Sequence, residues 1–133
     1  MGLFNFTSKE EKERLSHIRN LLTVAVADGK LHPNELAQIA AIAHREGITD
    51  EEFKKNVEKC IKKPDSIKFI APTDAEKRSQ YLADLVGLMM IDGDIHPKEM
   101  LVCKGAAIGL GFPPEIVEAS IAYAIEQVRN NLS

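Results

Sequence analysis

An eight-residue sequence occurs twice in this chain, at positions 28–35 and 92–99. The first copy reads Asp-Gly-Lys-Leu-His-Pro-Asn-Glu and the second reads Asp-Gly-Asp-Ile-His-Pro-Lys-Glu, so Asp, Gly, His, Pro and Glu recur in register. The fourth position is apolar in both copies. Internal repetition at a fixed spacing is typical of a structural unit that is used twice.

The similarity extends beyond the two copies without a gap, at a constant offset of 64 residues. Residues that are identical at this offset form the pairs Leu21/Leu85, Ala43/Ala107, Gly47/Gly111, Glu51/Glu115 and Ile61/Ile125. Similar apolar pairs, such as Val24/Leu88, lie between them. We therefore expect the two halves of the chain to share one fold and to be related by a pseudo-twofold axis.

Apolar residues recur every three or four positions through most of the chain, which predicts amphipathic helices and no strands. Three capping boxes predict helix starts: Ser8-x-x-Glu11, Thr49-x-x-Glu52 and Thr73-x-x-Glu76. Prolines at 33, 97 and 114 predict three more starts. Glycines at 29, 47 and 93 predict ends, and the helix from Pro97 is expected to end at Gly109 or Gly111. The last helix is expected to run from Pro114 to about Val128.

These signals predict an all-α fold: an internally duplicated helical bundle of two pseudo-symmetric three-helix units in one domain, 1–133. The repeat units span about 8–63 and 73–131, with a linker at 64–72. The third helix is charged at positions where the sixth carries Ile116, Ala119, Ala122 and Tyr123. This difference predicts that the sixth helix is the more buried of the two and lies centrally.

Composition excludes several classes of function. The net charge is −3 and only 5% of residues are aromatic, which argues against nucleic-acid binding. No apolar run reaches the roughly 20 residues of a membrane span, so direct membrane insertion is not expected. Cys60 and Cys103 stand apart from each other, which favours a reduced, cytoplasmic setting. The chain has no phosphate loop and no nucleophile motif, so we expect no enzyme, no catalytic residue and no organic cofactor.

The repeated loops resemble the second half of an EF-hand calcium loop, in which Asp, Gly, an apolar residue and Glu recur at these spacings. The first half of that loop is missing here. Its first and third positions would be Val24 and Val26 in one copy and Leu88 and Met90 in the other, and none of these side chains offers an oxygen ligand. A standard EF-hand is therefore excluded.

Two interpretations of the loops remain open. In the first, they only punctuate helices: Gly ends one helix, His lies at the next N-cap, and Glu at the third helical position interacts with the helix dipole. This interpretation accounts poorly for Asp28 and Asp92, because a carboxylate after the last turn of a helix opposes the dipole. An Asx-type bond to a loop amide would compensate.

In the second interpretation, the loops bind a metal ion. If the pseudo-twofold relation brings the loops together, carboxylates from both halves converge. Oxygen ligands alone would suit Ca²⁺, Mg²⁺ or Mn²⁺, whereas added imidazoles would favour Zn²⁺. The candidate ligands are Asp28, Glu35, Asp92 and Glu99, with His32, His96 and Asp94 nearby. The other two histidines, His17 and His44, lie in predicted helices and are expected to be solvated or at the core edge.

The two loops, each followed by a helix and a closing glycine, resemble the TerB family of tellurite-resistance proteins. The resemblance covers the chain from about Leu15 onward. It implies an all-helical, internally duplicated cytoplasmic domain that is associated with bacterial stress response and has no established enzymatic activity. It also implies metal binding through Asp28, Glu35, Asp92 and Glu99. His32 and His96 depart from the family, in which Ser, Thr or Asp is more usual.

We therefore expect a non-enzymatic stress-response and interaction domain with a divalent-cation site at its two acidic loops. Its partners would be other proteins, which the sequence does not identify, and a homodimer is compatible with it. One alternative is a purely structural protein–protein interaction module without metal. The other is a metal-dependent hydrolase, which would need an open coordination position beside a pocket.

Overall fold

The computed structural model describes residues 9–62, 70–91 and 95–132. These residues form six α-helices and no strand, which confirms the all-α fold predicted from periodicity. The helices are α1 (Lys9–Ala25), α2 (Pro33–Arg45), α3 (Asp50–Lys62), α4 (Ala75–Met89), α5 (Pro97–Gly109) and α6 (Pro114–Leu132). Ser8, Gly93 and most of the predicted linker lie outside the described residues.

Local capping chemistry explains most of the helix boundaries. Thr49 accepts a hydrogen bond from the Glu52 amide at 3.2 Å, as the capping box predicts. The box predicted at Thr73 is wrong by one residue, because Asp74 accepts from the Glu76 amide at 3.0 Å and caps α4 instead. A carboxylate at this position also complements the helix dipole. Helix α6 continues past the predicted end at Val128.

The arrangement of helices is compatible with internal duplication. Helices α2 and α5 begin and end 64 residues apart, and α3 and α6 begin 64 residues apart. Gly47 and Gly111, which follow α2 and α5, both have positive φ, at +78° and +100°. Glycine adopts this conformation without the steric cost that a side chain adds, so the same stop signal works in both halves.

Helix α1 is the central helix of the bundle and contacts α2, α3, α4 and α5. Its residues Ile18, Leu21 and Val24 have no exposed surface. Helix α6 packs against α4 and α5 and leaves 49% of Ile116 and 68% of Tyr123 exposed. The prediction that α6 lies centrally is therefore wrong. An apolar face shows that burial is favourable but does not specify what covers it.

Helices α1 and α4 are joined by a buried polar contact. The His17 ring stacks on the Tyr81 ring, with centroids 3.6 Å apart and planes 5° apart. His17 Nε2 also lies 2.8 Å from Asp84 Oδ2. His17 is only 2% exposed, so it lies inside the bundle, whereas His44 is on the surface as expected. His17 and Tyr81 occupy equivalent positions of the two halves, and a twofold axis between them would bring such residues together.

The contact continues into a network that also holds the end of α2. The Arg45 guanidinium donates two hydrogen bonds to Asp84, at 3.0 and 2.7 Å, and its Nε donates to Glu46 at 3.3 Å. Glu46 accepts from the Tyr81 hydroxyl at 2.7 Å and pairs with Lys77 at 3.2 Å. Each buried carboxylate therefore has a basic side chain beside it, which is the condition for tolerating a charge in a protein interior.

Burial and hydrogen bonding act in opposite directions on the pKa values of this network. Burial raises the pKa of Asp84, but the hydrogen bonds from His17 and Arg45 bring it below its usual range. For His17 burial is the larger effect, so its pKa is lowered even though Asp84 favours the charged ring. The remaining charged groups that act on His17 are Glu46 and Arg45, at the end of α2.

We expect Asp84→Ala to destabilise the fold by roughly 2–3 kcal/mol, because it leaves His17 and Arg45 without their shared acceptor. Urea unfolding measures the loss. Glu118→Ala is a suitable control, since Glu118 pairs with Lys104 at 3.8 Å on an exposed surface, and should change stability by less than about 1 kcal/mol. Equal effects of the two substitutions would contradict a stabilising role for the network.

We also expect His17 to make stability depend on pH. Its pKa in the folded state is lowered by burial, so the unfolded chain binds a proton more readily and stability is lost as the pH falls below about 6.5. His17→Gln should therefore reduce the slope of unfolding free energy between pH 7 and 5. His44→Gln changes an exposed histidine and is the matched control. An unchanged slope in His17→Gln would disprove the assignment.

Candidate functional site at the paired acidic loops

The two repeated loops connect α1 to α2 and α4 to α5. Helix α1 ends at Ala25, before the end predicted at Gly29, and a turn follows it. Gly29 has a φ of +88° in the first loop, and Pro33 begins α2. The apolar fourth residue of each copy, Leu31 and Ile95, packs against the core. These contacts hold Leu31 and Ile95 against the body of the protein, so the described polar side chains of the first loop have defined positions.

Asp28 is fixed by two hydrogen bonds within its own loop. Its Oδ1 accepts from the Lys30 amide at 2.9 Å, which is the Asx-type bond expected from the sequence. Its Oδ2 lies 3.2 Å from His32 Nε2. The amide of Lys30, followed by His32 and the charge of His96, keeps the pKa of Asp28 below its usual range, so the carboxylate stays charged.

The structure brings the two loops together, which the sequence could not establish. Glu35 follows the first loop and Glu99 follows the second, and their carboxyl groups share a hydrogen bond. Glu35 is 1% exposed and Glu99 is 5% exposed. The two glutamates are a second pair of equivalent residues in contact, after His17 and Tyr81. The loops therefore form one site with contributions from both halves.

Glu99 is in an environment that disfavours its charged form. Burial raises its pKa, and the negative charge of Asp28 raises it further. The pKa of Glu99 is lowered by the hydrogen bond with Glu35 and by the charges of His96 and His32, but these effects are smaller than the rise. Ionisation of Glu99 is therefore less favourable at this site than in water.

The two loop histidines have different roles in the structure. His96 caps α5, because its Nδ1 accepts a hydrogen bond from the Lys98 amide at 3.4 Å. His32 lies at the N-cap of α2 but makes no side-chain capping bond, and its ring contacts Asp28 instead. His96 therefore fits the helix-punctuation interpretation, whereas His32 belongs to the acidic cluster.

Five of the seven candidate ligands lie in this region: Asp28, His32, Glu35, His96 and Glu99. The other two, Asp92 and Asp94, lie outside the described residues. Among the residues that the structure describes, no group of three or more His, Cys, Asp and Glu side chains is spaced to hold a metal ion. The chemistry of the donors nevertheless fits a divalent cation, since carboxylate oxygens predominate and imidazoles adjoin them.

Sequence reasoning missed the cluster around His17, Tyr81 and Asp84, which is the other polar contact between the halves. The 64-residue offset contained a signal for this contact, because His17 and Tyr81 are equivalent at that offset. Equivalent residues that lie on a pseudo-twofold axis contact each other, as these two rings do. The same reasoning pairs Glu35 with Glu99. It requires knowing which helices lie on the axis, and the sequence does not reveal that.

An all-helical domain with a paired acidic loop site is thus the class of protein that the structure defines. Residues 2–58 match the family described as Tellurite resistance protein TerB. This part of the chain, which includes α1, the first loop, α2 and most of α3, is therefore similar to TerB. No curated protein and no solved structure matches the chain. Within the described residues, no helix is both long enough and apolar enough to cross a membrane.

Two substitutions of Asp28 separate its structural role from its charge. Asp28→Asn keeps the oxygen that accepts from the Lys30 amide, so we expect the unfolding free energy to stay nearly unchanged. Asp28→Ala removes that bond and should lower the unfolding free energy. Thermal and urea unfolding measure both. Equal losses in the two variants would show that the carboxylate charge, and not the Asx-type bond, stabilises the loop.

Proposed function

We propose that this protein is a non-enzymatic, cation-responsive interaction domain whose divalent-cation site lies between the two acidic loops. One observation carries the proposal: Glu35 and Glu99 are buried side by side although they come from different halves of the chain. The negative charge of Asp28 acts on the same pair.

Helix punctuation alone does not require this arrangement. A glutamate in the first turn of a helix contributes about 0.3–1 kcal/mol through the dipole, and it does so equally well on an exposed surface. Burying two carboxyl groups in contact is unfavourable, because desolvation and like-charge repulsion both disfavour ionisation. A bound divalent cation would offset both effects.

The donors limit which cation the site would take. Oxygen ligands from Asp28, Glu35 and Glu99 would suit Ca²⁺, Mg²⁺ or Mn²⁺, and the imidazoles of His32 and His96 would shift the preference toward Zn²⁺. Asp92 and Asp94 belong to the second loop and would be further ligands. Because the ligands come from both halves, binding would stabilise the contact between the halves and so alter the surface offered to a protein partner.

The name of the matching family places such domains in tellurite resistance, and we propose a related stress-response role for this chain in the cytoplasm. The proposal includes protein partners and excludes nucleic acid, for which the acidic composition is unsuited. It includes no catalytic residue, since the carboxylates and imidazoles are used to bind a cation and hold the loops.

Calorimetric titration of the metal-stripped protein with Ca²⁺, Mg²⁺, Mn²⁺ and Zn²⁺ tests the proposal. We expect heat of binding and a higher melting temperature with at least one of these ions, because ligand binding to the folded state stabilises it. We expect both signals to be lost in Asp28→Asn, which should retain the loop structure. Absence of binding for all four ions would contradict the proposal.

Glu99→Gln provides a sharper test, because the two interpretations of the loops predict opposite results. If the buried charge serves a cation, its removal should raise the melting temperature in cation-free buffer at pH 7, since the pKa of Glu99 is raised in the folded state. The variant should also lose the stabilisation by added cation. If Glu99 only complements the dipole of α5, the melting temperature should fall.

Glu115→Gln is the matched control for this test. Glu115 also lies in the first turn of a helix, α6, but it is exposed. We expect its substitution to lower stability by no more than about 1 kcal/mol and to leave the response to cations intact. A loss of cation response in this control would show that the response does not come from the paired loops.

A further inference from the structure

An apolar groove of about 820 Å³ runs between α4 and α6 on the surface of the second half. Thirteen residues line it, and none of them carries a charged side chain. Ile116 and Tyr123, two of the most exposed large apolar residues in the described part of the chain, lie in its wall. An exposed apolar surface of this kind on a protein with 28% charged residues indicates a binding surface.

The 64-residue offset shows how the first half differs at the equivalent place. There Arg19 Nε donates to Asn56 Oδ1 at 2.8 Å and links α1 to α3. The equivalent residues of the second half are Ala83 and Ser120, which both line the groove. Neither side chain is long enough to link α4 to α6 in this way, so the smaller residues leave the space open.

The exposed residues beside the groove are also less polar than their equivalents in the first half. Ile116 and Tyr123 replace Glu52 and Lys59, which are the exposed residues at the equivalent positions of α3. Positions that carry exposed charged side chains in the first half are therefore occupied by apolar side chains in the second half. This exchange is expected where a segment of apolar chain covers the surface.

The size of the groove favours a short segment over a second copy of the chain. A stable protein–protein interface uses roughly 20–30 residues on each side. The thirteen residues that line the groove are about half that number. A single peptide segment without charges would fit the groove better than the face of another folded protein.

Residues 1–8, which precede α1 and lie outside the described residues, have the required sequence. They read Met-Gly-Leu-Phe-Asn-Phe-Thr-Ser and contain no charged side chain but three large apolar ones besides Met1: Leu3, Phe4 and Phe6. Eight residues span at most roughly 26–29 Å. Helix α1 begins at Lys9, and the charges of Glu13 and Arg14 act on Tyr81 of α4. The first turns of α1 therefore lie near the N-terminal part of α4, the helix that forms one wall of the groove.

The segment before α4 supplies a template for this placement. There the Ile70 amide donates to Ser16 Oγ of α1 at 2.9 Å, and Pro72 is fully buried. At the 64-residue offset Phe6 corresponds to Ile70 and Gln80 corresponds to Ser16. A pseudo-twofold relation would therefore direct residues 1–8 along α4 at Gln80, next to the end of the groove at Ser79.

We propose that residues 1–8 dock in the groove between α4 and α6 and cover it with Leu3, Phe4 and Phe6. The segment completes the apolar core of the second half, where the smaller side chains of α4 and α6 leave it open.

NMR comparison of the full chain with a variant lacking residues 2–8 tests this placement. We expect the amide shifts of Ala83, Gly87 and Ala124 in the groove to change, while those of Phe53 and Val57 in α3 stay the same. A synthetic peptide of residues 1–8, added to the deletion variant, should move the groove signals back toward their original positions. Changes confined to the first turn of α1 would overturn the proposal.

Point substitutions test the same placement without removing the segment. Phe4→Ser with Phe6→Ser should reproduce the shift changes of the deletion, whereas Asn5→Ser should not. Ala83→Arg introduces the residue that stands at the equivalent place in the first half, so deleting residues 2–8 from this variant should no longer affect the groove. If sedimentation shows a dimer and the groove signals depend on protein concentration, a second copy is the occupant and the proposal is wrong.

Discussion

The packing of α1 against α4 is the contact on which the rest of the structure depends. Leu21 and Val24 of α1 and Leu85 and Leu88 of α4 have no exposed surface, and burying a side chain of this size contributes about 1.5–3 kcal/mol. Each of the two helices leads into one of the acidic loops. Their packing therefore decides that the loops meet, and the polar contact of His17 with α4 fixes how the helices are oriented.

The two polar contacts between the halves differ in how their charge is balanced. Around His17, the carboxylates of Asp84 and Glu46 have Arg45 and Lys77 beside them, so the network is complete in itself. At the loops, the positive groups that act on Glu99 are imidazoles, which are weaker and more pH-dependent cations than guanidinium or ammonium groups. The first contact therefore has the properties of a structural link, whereas the second depends on weaker, pH-dependent positive groups.

The halves have kept their helices and loops in register but differ in their surfaces. In the first half a side-chain hydrogen bond between Arg19 and Asn56 joins α1 to α3. In the second half the residues at the equivalent positions are small, so a groove lies between α4 and α6, and Tyr123 is exposed. A repeated sequence permits this difference, because packing constrains the inner faces of the helices and leaves their outer faces free to differ.

The sequence by itself determined the helices, their approximate ends and the equivalence of the two loops. These features depend on local chemistry, such as the fixed φ of Pro33 or the positive φ available to Gly47, which acts within a few residues. Only the tertiary structure decided that Glu35 meets Glu99, that His17 is buried and that α6 lies at the edge of the bundle. Periodicity marks an apolar face, but its partner is chosen by the packing of all the helices together, since burial is favourable against any apolar surface of suitable shape.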